Sequence, residues 1–229
     1  MSLFPLDPLV PKEVFGGLVY KHRYTLPGVT LFLADARRIV PFLEDWDSLI
    51  TDPPYGMRYR SKSPEKRPLV GDESIDLLIT ACLMRARHSS YVWMRWDNLR
   101  DLPRPPKSLI TWVKNNHGAG DTKHAHGRKT EVCAFWPGID HRFPAGRPTD
   151  VVEAAKTGNR HHPTEKPVSL MSRLVSWSEG TVLDPFMGSG TTGVACVEAR
   201  RPFIGIEVDP EHYHTACARI RAAVIERET

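Results

Sequence analysis

The segment TVLDPFMGSGTTGVA, residues 181–195, has the pattern of a strand, a glycine turn and a helix. Gly188, Gly190 and Gly193 match the G-x-G-x-x-G spacing of a turn that binds a dinucleotide. Glu207 follows Gly188 by 19 residues, near the position of a ribose-binding acid. A nicotinamide enzyme is one interpretation of this spacing. The glycines alone do not decide between it and another nucleoside ligand.

Asp184 lies four residues before Gly188, at the predicted carboxyl end of the strand, and would face the same crevice as the turn. A carboxylate beside a pyrophosphate raises the electrostatic energy, whereas a carboxylate beside an ammonium lowers it. The site therefore favours a nucleoside ligand with a positive group and no phosphate, such as S-adenosylmethionine. Glu207 would then accept hydrogen bonds from both ribose hydroxyls. The structural alternatives are capping or loop ordering for Asp184 and a surface acid for Glu207.

The second chemical motif is SLITDPPYG, residues 48–56, in which an apolar strand runs into Asp52, Pro53, Pro54 and Tyr55. Two prolines fix φ and force an extended exit from the sheet. Asp52 and the carbonyl of Pro53 can accept hydrogen bonds from one exocyclic amino group, and Tyr55 offers a ring face for stacking a base. Such a base must first leave the duplex. For D-P-P alone, a proline-rich turn with a capping Asp is the alternative.

Together these motifs resemble the amino-group DNA methyltransferases, which modify adenine N6 or cytosine N4. The resemblance covers about residues 28–222 and rests on DPPY (52–55), HPTEKP (162–167), DPFMGSGTT (184–192) and FIGIEVD (203–209). The catalytic motif comes first, a basic variable region next and the cofactor motif last, which resembles the β-class order. The resemblance implies a circularly permuted, Rossmann-like fold with a mostly parallel, seven-stranded sheet.

The resemblance also implies roles for single residues, with Asp52, Pro53, Pro54 and Tyr55 as the catalytic positions. Thr164 and Lys166 would lie near the methionine carboxylate of the cofactor, where a hydroxyl and a cation fit. Asp35 would lie near the adenine amino group of the cofactor, although it suits an N-cap of the next helix almost as well. The remaining cofactor-binding positions are Asp184, Phe186, Gly188, Ser189, Gly190, Thr191 and Glu207.

Apolar runs predict the strands that must position these motifs. The runs lie at 29–34, 48–51, 90–94, 108–113, 131–136, 181–186 and 202–208. Several are continuous, as in strands that are covered on both faces. Helical patterns occupy 72–84, 166–177 and 210–225, the last with Asp209 as N-cap and Pro210 at N1. This alternation predicts a doubly wound α/β sheet.

The predicted domain organisation is a single methyltransferase domain over 1–229. Residues 1–20 form an N-terminal arm in this interpretation. The stretches 56–71 and 115–165 are polar or irregular and are interpreted as loop or target-recognition insertions.

Positive charge is concentrated in the middle of the chain. Residues 56–160 contain 19 lysines and arginines against 11 acidic residues, whereas the whole chain has a net charge of only +4. A basic middle indicates contact with a polyanion, with a merely solvated surface as the alternative. The candidate DNA-binding residues, of types that contact bases or phosphates, are Arg58, Arg60, Lys62, Lys114, Asn115, Lys123 and Arg128. The histidines at 117, 124 and 126 match no standard zinc spacing, and no metal is expected.

Composition favours a cytoplasmic protein, and the family resemblance implies that it is bacterial or phage-encoded. The four scattered cysteines fit reduced thiols, and no apolar run approaches the roughly 18 residues of a membrane span. The N-terminus does not resemble a signal peptide. The short recognition insertion predicts either a short or degenerate target or a homodimer that shares recognition. No nuclease motif occurs, so a restriction endonuclease partner would be a separate chain.

The sequence therefore predicts site-specific methyl transfer from S-adenosylmethionine to N6 of a flipped adenine in double-stranded DNA. In the family that the chain resembles, an initial Asp in the catalytic motif favours adenine, whereas an initial Ser favours cytosine. Cytosine-N4 methylation is the first alternative. An NAD(P)-dependent oxidoreductase is a distant alternative that rests on the glycine spacing, and a catalytically silent DNA-binding protein is the third.

Overall fold

The structure is a computed structural model that describes residues 13–15, 18–54, 75–102, 104–116, 123–124, 126–156 and 165–228. Five of the predicted site residues lie outside the described residues: Tyr55, Arg58, Arg60, Lys62 and Thr164.

The described residues form strands that are numbered in chain order. They are β1 (Glu13–Phe15), β2 (Leu18–Tyr20), β3 (His22–Leu26), β4 (Val29–Leu33), β5 (Ser48–Thr51), β6 (Ser89–Met94), β7 (Ser108–Val113), β8 (Thr130–Pro137), β9 (Val151–Glu153), β10 (Val182–Asp184) and β11 (Phe203–Glu207).

Helices alternate with the strands from β4 to β6 and from β9 to β11 in the chain. They are α1 (Ala36–Ile39), α2 (Ile75–Arg85), α3 (Val168–Ser176), α4 (Thr191–Glu198) and α5 (Pro210–Glu228), with short 3-10 turns at Val40–Phe42 and Trp96–Asp101. Among the described helices, none has the length and apolar character needed to cross a membrane.

The main sheet is mixed and has the strand order β3-β4-β11-β10-β5-β6-β8-β7-β9. The five adjacent strands β4, β11, β10, β5 and β6 are parallel to one another. β8 runs antiparallel to both of its neighbours, β6 and β7. The chain proceeds outwards from β5 to β6 on one side and from β10 to β11 on the other. In open α/β sheets, ligands bind at the carboxyl ends of the strands where the winding reverses in this way. The crevice expected here lies beyond the ends of β5 and β10.

The sheet has a hydrophobic core on each face. One core packs α3, α4 and α5 against the strands, and its helical contacts include Leu170, Leu174, Ala216 and Ile220. The other packs α1 and α2, with Ile39 and other side chains including Leu78, Cys82 and Leu83. The central strands are therefore covered on both sides, which explains why β5 and β6 are buried at every position.

The sheet has nine strands, so the prediction of seven was wrong in number. All seven predicted runs form strands, and the two additional ones are β3 and β9, at opposite edges of the sheet. β3 alternates half-buried and exposed residues, and only the central residue of β9 is buried. Such edge strands need no continuous apolar run, and that run was the signal used for prediction.

The predicted helices over 72–84, 166–177 and 210–225 are confirmed as α2, α3 and α5. The side chain of Asp209 accepts hydrogen bonds from the backbone nitrogens of Glu211 (2.8 Å) and His212 (3.1 Å), as expected of an N-cap. The inner face of α3 is formed by four buried residues: Leu170, Met171, Leu174 and Val175.

Gly190 allows α4 and α5 to approach each other closely. It is the N-cap of α4 with a φ of 83°, and a Cβ built on it would lie 2.8 Å from the Cβ of Ala216 in α5. A methyl group there would be both overpacked and in an unfavourable backbone conformation.

Replacing Gly190 with Ala should lower the free energy of unfolding by about 1–3 kcal/mol more than replacing Gly146 with Ala, because only the first change overpacks the core. Gly146 is the matched control, since it has the same φ of 83° but no atom within 4 Å of an added Cβ. Urea denaturation of both variants measures the difference. Equal losses of stability would contradict the close approach.

Candidate functional site

The two chemical motifs meet at the carboxyl ends of β5 and β10. These strands pair in parallel, with Leu183 opposite Leu49. Thr51, the last residue of β5, donates a hydrogen bond of 2.8 Å from its hydroxyl to the Asp184 carboxylate at the end of β10. Asp52 follows Thr51 directly, so the DPPY segment begins beside the segment that contains the glycine turn.

Asp184 orders the surrounding backbone. Its carboxylate is 3% exposed and also accepts hydrogen bonds from the Thr192 hydroxyl of α4 (2.7 Å) and the backbone nitrogen of Phe186 (3.1 Å). Burial raises the pKa of Asp184 to about 6, although these three donors oppose the rise. The contacts of Asp184 therefore agree with the alternative in which this residue orders the loop. A direct contact between Asp184 and the cofactor stays a prediction.

The glycine turn is tied to the end of β11. The backbone nitrogen of Gly188 donates a hydrogen bond of 2.9 Å to Glu207, whose other oxygen accepts from the backbone nitrogens of Val208 (2.9 Å) and Asp209 (2.8 Å). Burial raises the pKa of Glu207 and these donors oppose the rise. A carboxylate has about four acceptor sites. Binding both hydroxyls of a ribose would therefore require one backbone donor to yield its place.

The turn has the shape of a ligand cradle at Gly188. This residue has a φ of 51°, and a Cβ built on it would meet no atom within 4 Å. The protein itself therefore leaves space at Gly188, in contrast to Gly190. With the Glu207 carboxylate beside it, the turn can accept a nucleoside that approaches the backbone closely, so the residues present fit a cofactor of this kind.

Asp52 is held by a buried lysine. The Lys166 ammonium contacts the Asp52 carboxylate and lies 3.3 Å from Glu131 of β8 and 5.3 Å from the centre of the Trp93 ring. Burial lowers the pKa of Lys166, but the two carboxylates outweigh this effect and hold it above its usual value. The lysine predicted near the cofactor thus lies against the carboxylate that is predicted to be catalytic. Pro53 is buried beside it and Pro54 is half-buried.

Arg219 and Glu165 form a second ion pair at the site, which the sequence analysis missed. Arg219 of α5 donates to the carbonyl (2.8 Å) and hydroxyl (2.9 Å) of Ser189 and to the hydroxyl of Thr191 (3.3 Å). Its other nitrogen lies 2.8 Å from the Glu165 carboxylate, which is 3% exposed. One arginine therefore joins the glycine turn to the segment that contains Lys166. No local sequence pattern marks Arg219, because its contacts join segments that are distant in the chain.

Asp35 acts as the N-cap of α1. One of its carboxylate oxygens accepts a hydrogen bond of 3.0 Å from the backbone nitrogen of Arg37, and the Arg37 guanidinium contacts both oxygens. This contact lowers the pKa of Asp35. The N-cap alternative is therefore confirmed, and a contact with an adenine ring stays a prediction. Phe186, by contrast, packs in part against the core that contains α1 and α2.

The described candidate DNA-binding residues differ in accessibility. Asn115, Lys123 and Arg128 are exposed. Lys114 is only 8% exposed, and its ammonium lies 3.2 Å from Glu131, so its charge is used within the protein. Within the described part of the chain, no three His, Cys, Asp or Glu side chains are grouped to hold a metal ion.

Comparison with known sequences identifies methyltransferases. The family model N6_N4_Mtase, described as DNA methylase, matches residues 107–218. The protein YubD of Escherichia coli (strain K12), whose description as a methylase is provisional, is 34% identical over 201 residues, which cover 78% of this chain and 82% of YubD. The type II methyltransferase M2.DpnII of Streptococcus pneumoniae is 46% identical over 71 residues, 30% of this chain and 25% of that protein.

Comparison with solved structures gives the same fold. The M1.HpyAVI–SAM complex has a TM-score of 0.67 and 25% identity, and the match covers 84% of this chain and 99% of that one. The cytosine-N4-specific PvuII DNA methyltransferase has a TM-score of 0.68 over 87% of this chain and 89% of that one. Its identity of 14% extends the similarity to the fold alone.

The stability of the protein should depend on pH through Asp184. Its pKa is raised from 3.8 to about 6 in the folded state, so the folded protein binds this proton more tightly than the unfolded chain. The resulting stabilisation is complete below pH 3.8 and is lost as the pH rises through about 6. At about 1.4 kcal/mol per pH unit, wild type should lose about 3 kcal/mol more than Asp184→Asn over this range. Urea denaturation at several pH values measures this, and parallel curves would contradict the assignment.

Removing Arg219 should destabilise the protein, because it takes away a cation that lies 2.8 Å from the buried Glu165 carboxylate. Arg219→Met leaves Glu165 without its cation, which should lower the free energy of unfolding by about 3–5 kcal/mol. The double variant Arg219→Met/Glu165→Gln should recover part of this loss. Arg87→Met is the control, because the Arg87–Asp140 pair is exposed and should contribute about 1 kcal/mol or less. Urea denaturation measures the loss of the free energy of unfolding in each variant. Equal losses for the two arginine substitutions would contradict a stabilising ion pair between Arg219 and Glu165.

Proposed function

The chain belongs to the N6/N4 family of amino-group DNA methyltransferases, and we propose that it methylates N6 of a flipped adenine at specific sites in double-stranded DNA, with S-adenosylmethionine as donor. The observation that carries the proposal is the 2.8 Å hydrogen bond between Thr51 and Asp184. It joins the strand that leads into the DPPY segment to the strand that leads into the glycine turn. A base held at the first would lie beside a nucleoside held at the second.

The cofactor is assigned to the turn between β10 and α4. Gly188 leaves open space, and Glu207 supplies the carboxylate for ribose hydroxyls. Ser189, Gly190, Thr191 and Phe186 shape this turn, and Asp184 fixes it from behind through Thr192. S-adenosylmethionine supplies a methyl group on a positively charged sulfur, which is already a good leaving group. The protein is therefore required mainly to position the two reactants.

Asp52 and Pro53 are assigned to the target amino group. The Asp52 carboxylate and the Pro53 carbonyl each accept a hydrogen bond from the target amino group. These two bonds orient the nitrogen lone pair away from the ring. Lys166 fixes the direction of the Asp52 carboxylate, because its ammonium contacts that carboxylate. The nitrogen carries a surplus proton after methylation, and Asp52 is the carboxylate that we assign to accept it. Stacking of the base on Tyr55 and a contact of Thr164 with the cofactor remain part of the proposal.

Adenine is the preferred base in this proposal because the catalytic motif begins with Asp52. The same pair of acceptors suits the N4 amino group of cytosine, so the product distinguishes the two bases. We assign the DNA contacts to the basic stretch between the motifs, within the proposed insertions 56–71 and 115–165 of a single domain. Asn115, Lys123 and Arg128 are exposed there. A homodimer and a separate restriction endonuclease stay predictions.

The test is methyl transfer from labelled S-adenosylmethionine to unmethylated duplex DNA, followed by digestion to nucleosides and chromatography. Wild type should place the label in N6-methyldeoxyadenosine. Asp52→Asn should reduce the single-turnover rate by about 100-fold or more, because it replaces the acceptor carboxylate with an amide. Binding of S-adenosylhomocysteine by this variant, measured by calorimetry, should stay within about threefold of wild type because Asp52 is assigned to the base.

Asp45→Asn is the matched control. Asp45 is an exposed carboxylate 3.6 Å from Arg85, and it lies just before the start of β5, at the amino end of that strand and outside the stretches assigned to DNA contacts. This variant should leave the rate unchanged. Label in N4-methyldeoxycytidine would replace the proposed base but keep the assigned residues. Absence of label in DNA, with S-adenosylhomocysteine still bound, would overturn DNA as the substrate of this chain.

A further inference from the structure

Four side chains of alternating charge lie in a row across the carboxyl edge of the sheet. Asp52 contacts Lys166, Lys166 lies 3.3 Å from Glu131, and the other oxygen of Glu131 lies 3.2 Å from Lys114. They come from the ends of β5 and β7, the start of β8, and the segment before α3. Two cations and two anions leave the row without net charge.

Both lysines are buried, at 6% and 8% exposure. A buried ammonium is costly unless carboxylates compensate it. Lys166 has two such partners, and Glu131 in turn has two lysines. Among the described residues, the other groups facing Lys166 are uncharged: the Trp93 ring, and the Cys133 thiol, whose pKa is raised by burial. The position of Lys166 between Asp52 and Glu131 is therefore set by charge.

We propose that Glu131 is a positioning residue for the methyl transfer, which acts by holding the Lys166 ammonium between two carboxylates so that Asp52 can accept hydrogen bonds from the target amino group. The proposal rests on the function proposed above. Glu131 lies in the stretch that the sequence assigns to DNA recognition, but its carboxylate points to the catalytic end. Without it, the whole charge of Lys166 would fall on Asp52, and the competition would weaken Asp52 as an acceptor. Lys114 has the complementary task, because it keeps Glu131 from drawing Lys166 away.

The first test is Glu131→Gln, which keeps the shape of the side chain and removes its charge. The single-turnover rate of methyl transfer should fall by about 10- to 100-fold, the scale expected when a reacting group is misplaced. Binding of S-adenosylhomocysteine should change by less than about threefold, since Glu131 acts on the base side of the site. Glu131→Asp, which keeps the charge, should restore part of the rate. Glu198→Gln is the control, because Glu198 is an exposed acid at the last residue of α4 and lies outside both the charged row and the stretches assigned to DNA contacts.

A double-mutant cycle separates action through Lys166 from a general structural effect. If Glu131 acts only by holding Lys166, Glu131→Gln should have no further effect in a Lys166→Met background. Equal losses in both backgrounds would overturn the proposal. So would a rate for Glu131→Gln within about twofold of wild type, which is below the coupling expected of residues in one network.

A second measurement does not depend on activity. In protein with 13C-labelled lysine side chains, NMR follows the titration of Lys166 in the absence of DNA. Its midpoint should move to lower pH in Glu131→Gln, because loss of a carboxylate removes an attraction that favours the charged ammonium. An unchanged midpoint would overturn the proposal even if the rate falls. If wild type methylates no DNA, the proposed function fails, and the same titration still decides whether Glu131 holds Lys166.

Discussion

The site depends on a buried carboxylate at the end of a parallel strand. Asp184 receives hydrogen bonds from β5, from the turn that follows β10 and from α4, so one side chain fixes the relative position of three segments. In a sheet that winds outwards from β5 and β10, these segments surround the crevice where the direction of winding reverses. Burial of the acid is costly, and its three donors offset that cost. The start of the DPPY segment and the segment of the glycine turn are held together by polar contacts that form only when both strands are in register.

Ion pairs of two neighbouring residues also fix the segment before α3 at the site. Glu165 and Lys166 are neighbours in the chain, yet they have opposite partners: Glu165 pairs with Arg219 of α5, and Lys166 pairs with Asp52. The segment before α3 is therefore fixed between the glycine turn and the start of the DPPY segment. Each contact pairs a buried charge with an opposite one, so a substitution of one member exposes the desolvation cost of the other. This arrangement favours a rigid crevice.

The sequence predicted the central part of the fold well because buried parallel strands have continuous apolar runs. The seven predicted strands, the three longer helices and the Asp209 cap all occur in the structure. β3 and β9 were missed because edge strands are half-exposed and lack that signal. The motif residues were found from their types and spacing. Arg219 and Glu131 were not, because their roles depend on which distant segments meet, and a single cation on a helix or acid on a strand has no local signature. The partner of Lys166 was missed for the same reason.

The antiparallel direction of β8 has a consequence for how the chain can diversify. Since β7 and β8 pair from Val113 opposite Thr130, and the Lys114 nitrogen donates to the Lys129 carbonyl at 2.8 Å, the two ends of the connection 115–128 are fixed next to each other. Loop-closure entropy rises only slowly with length. The connection can therefore be exchanged or lengthened at little cost in stability, while Lys114 and Glu131 at its base stay in place. A change of sequence in this connection therefore need not displace the ion pairs at its base.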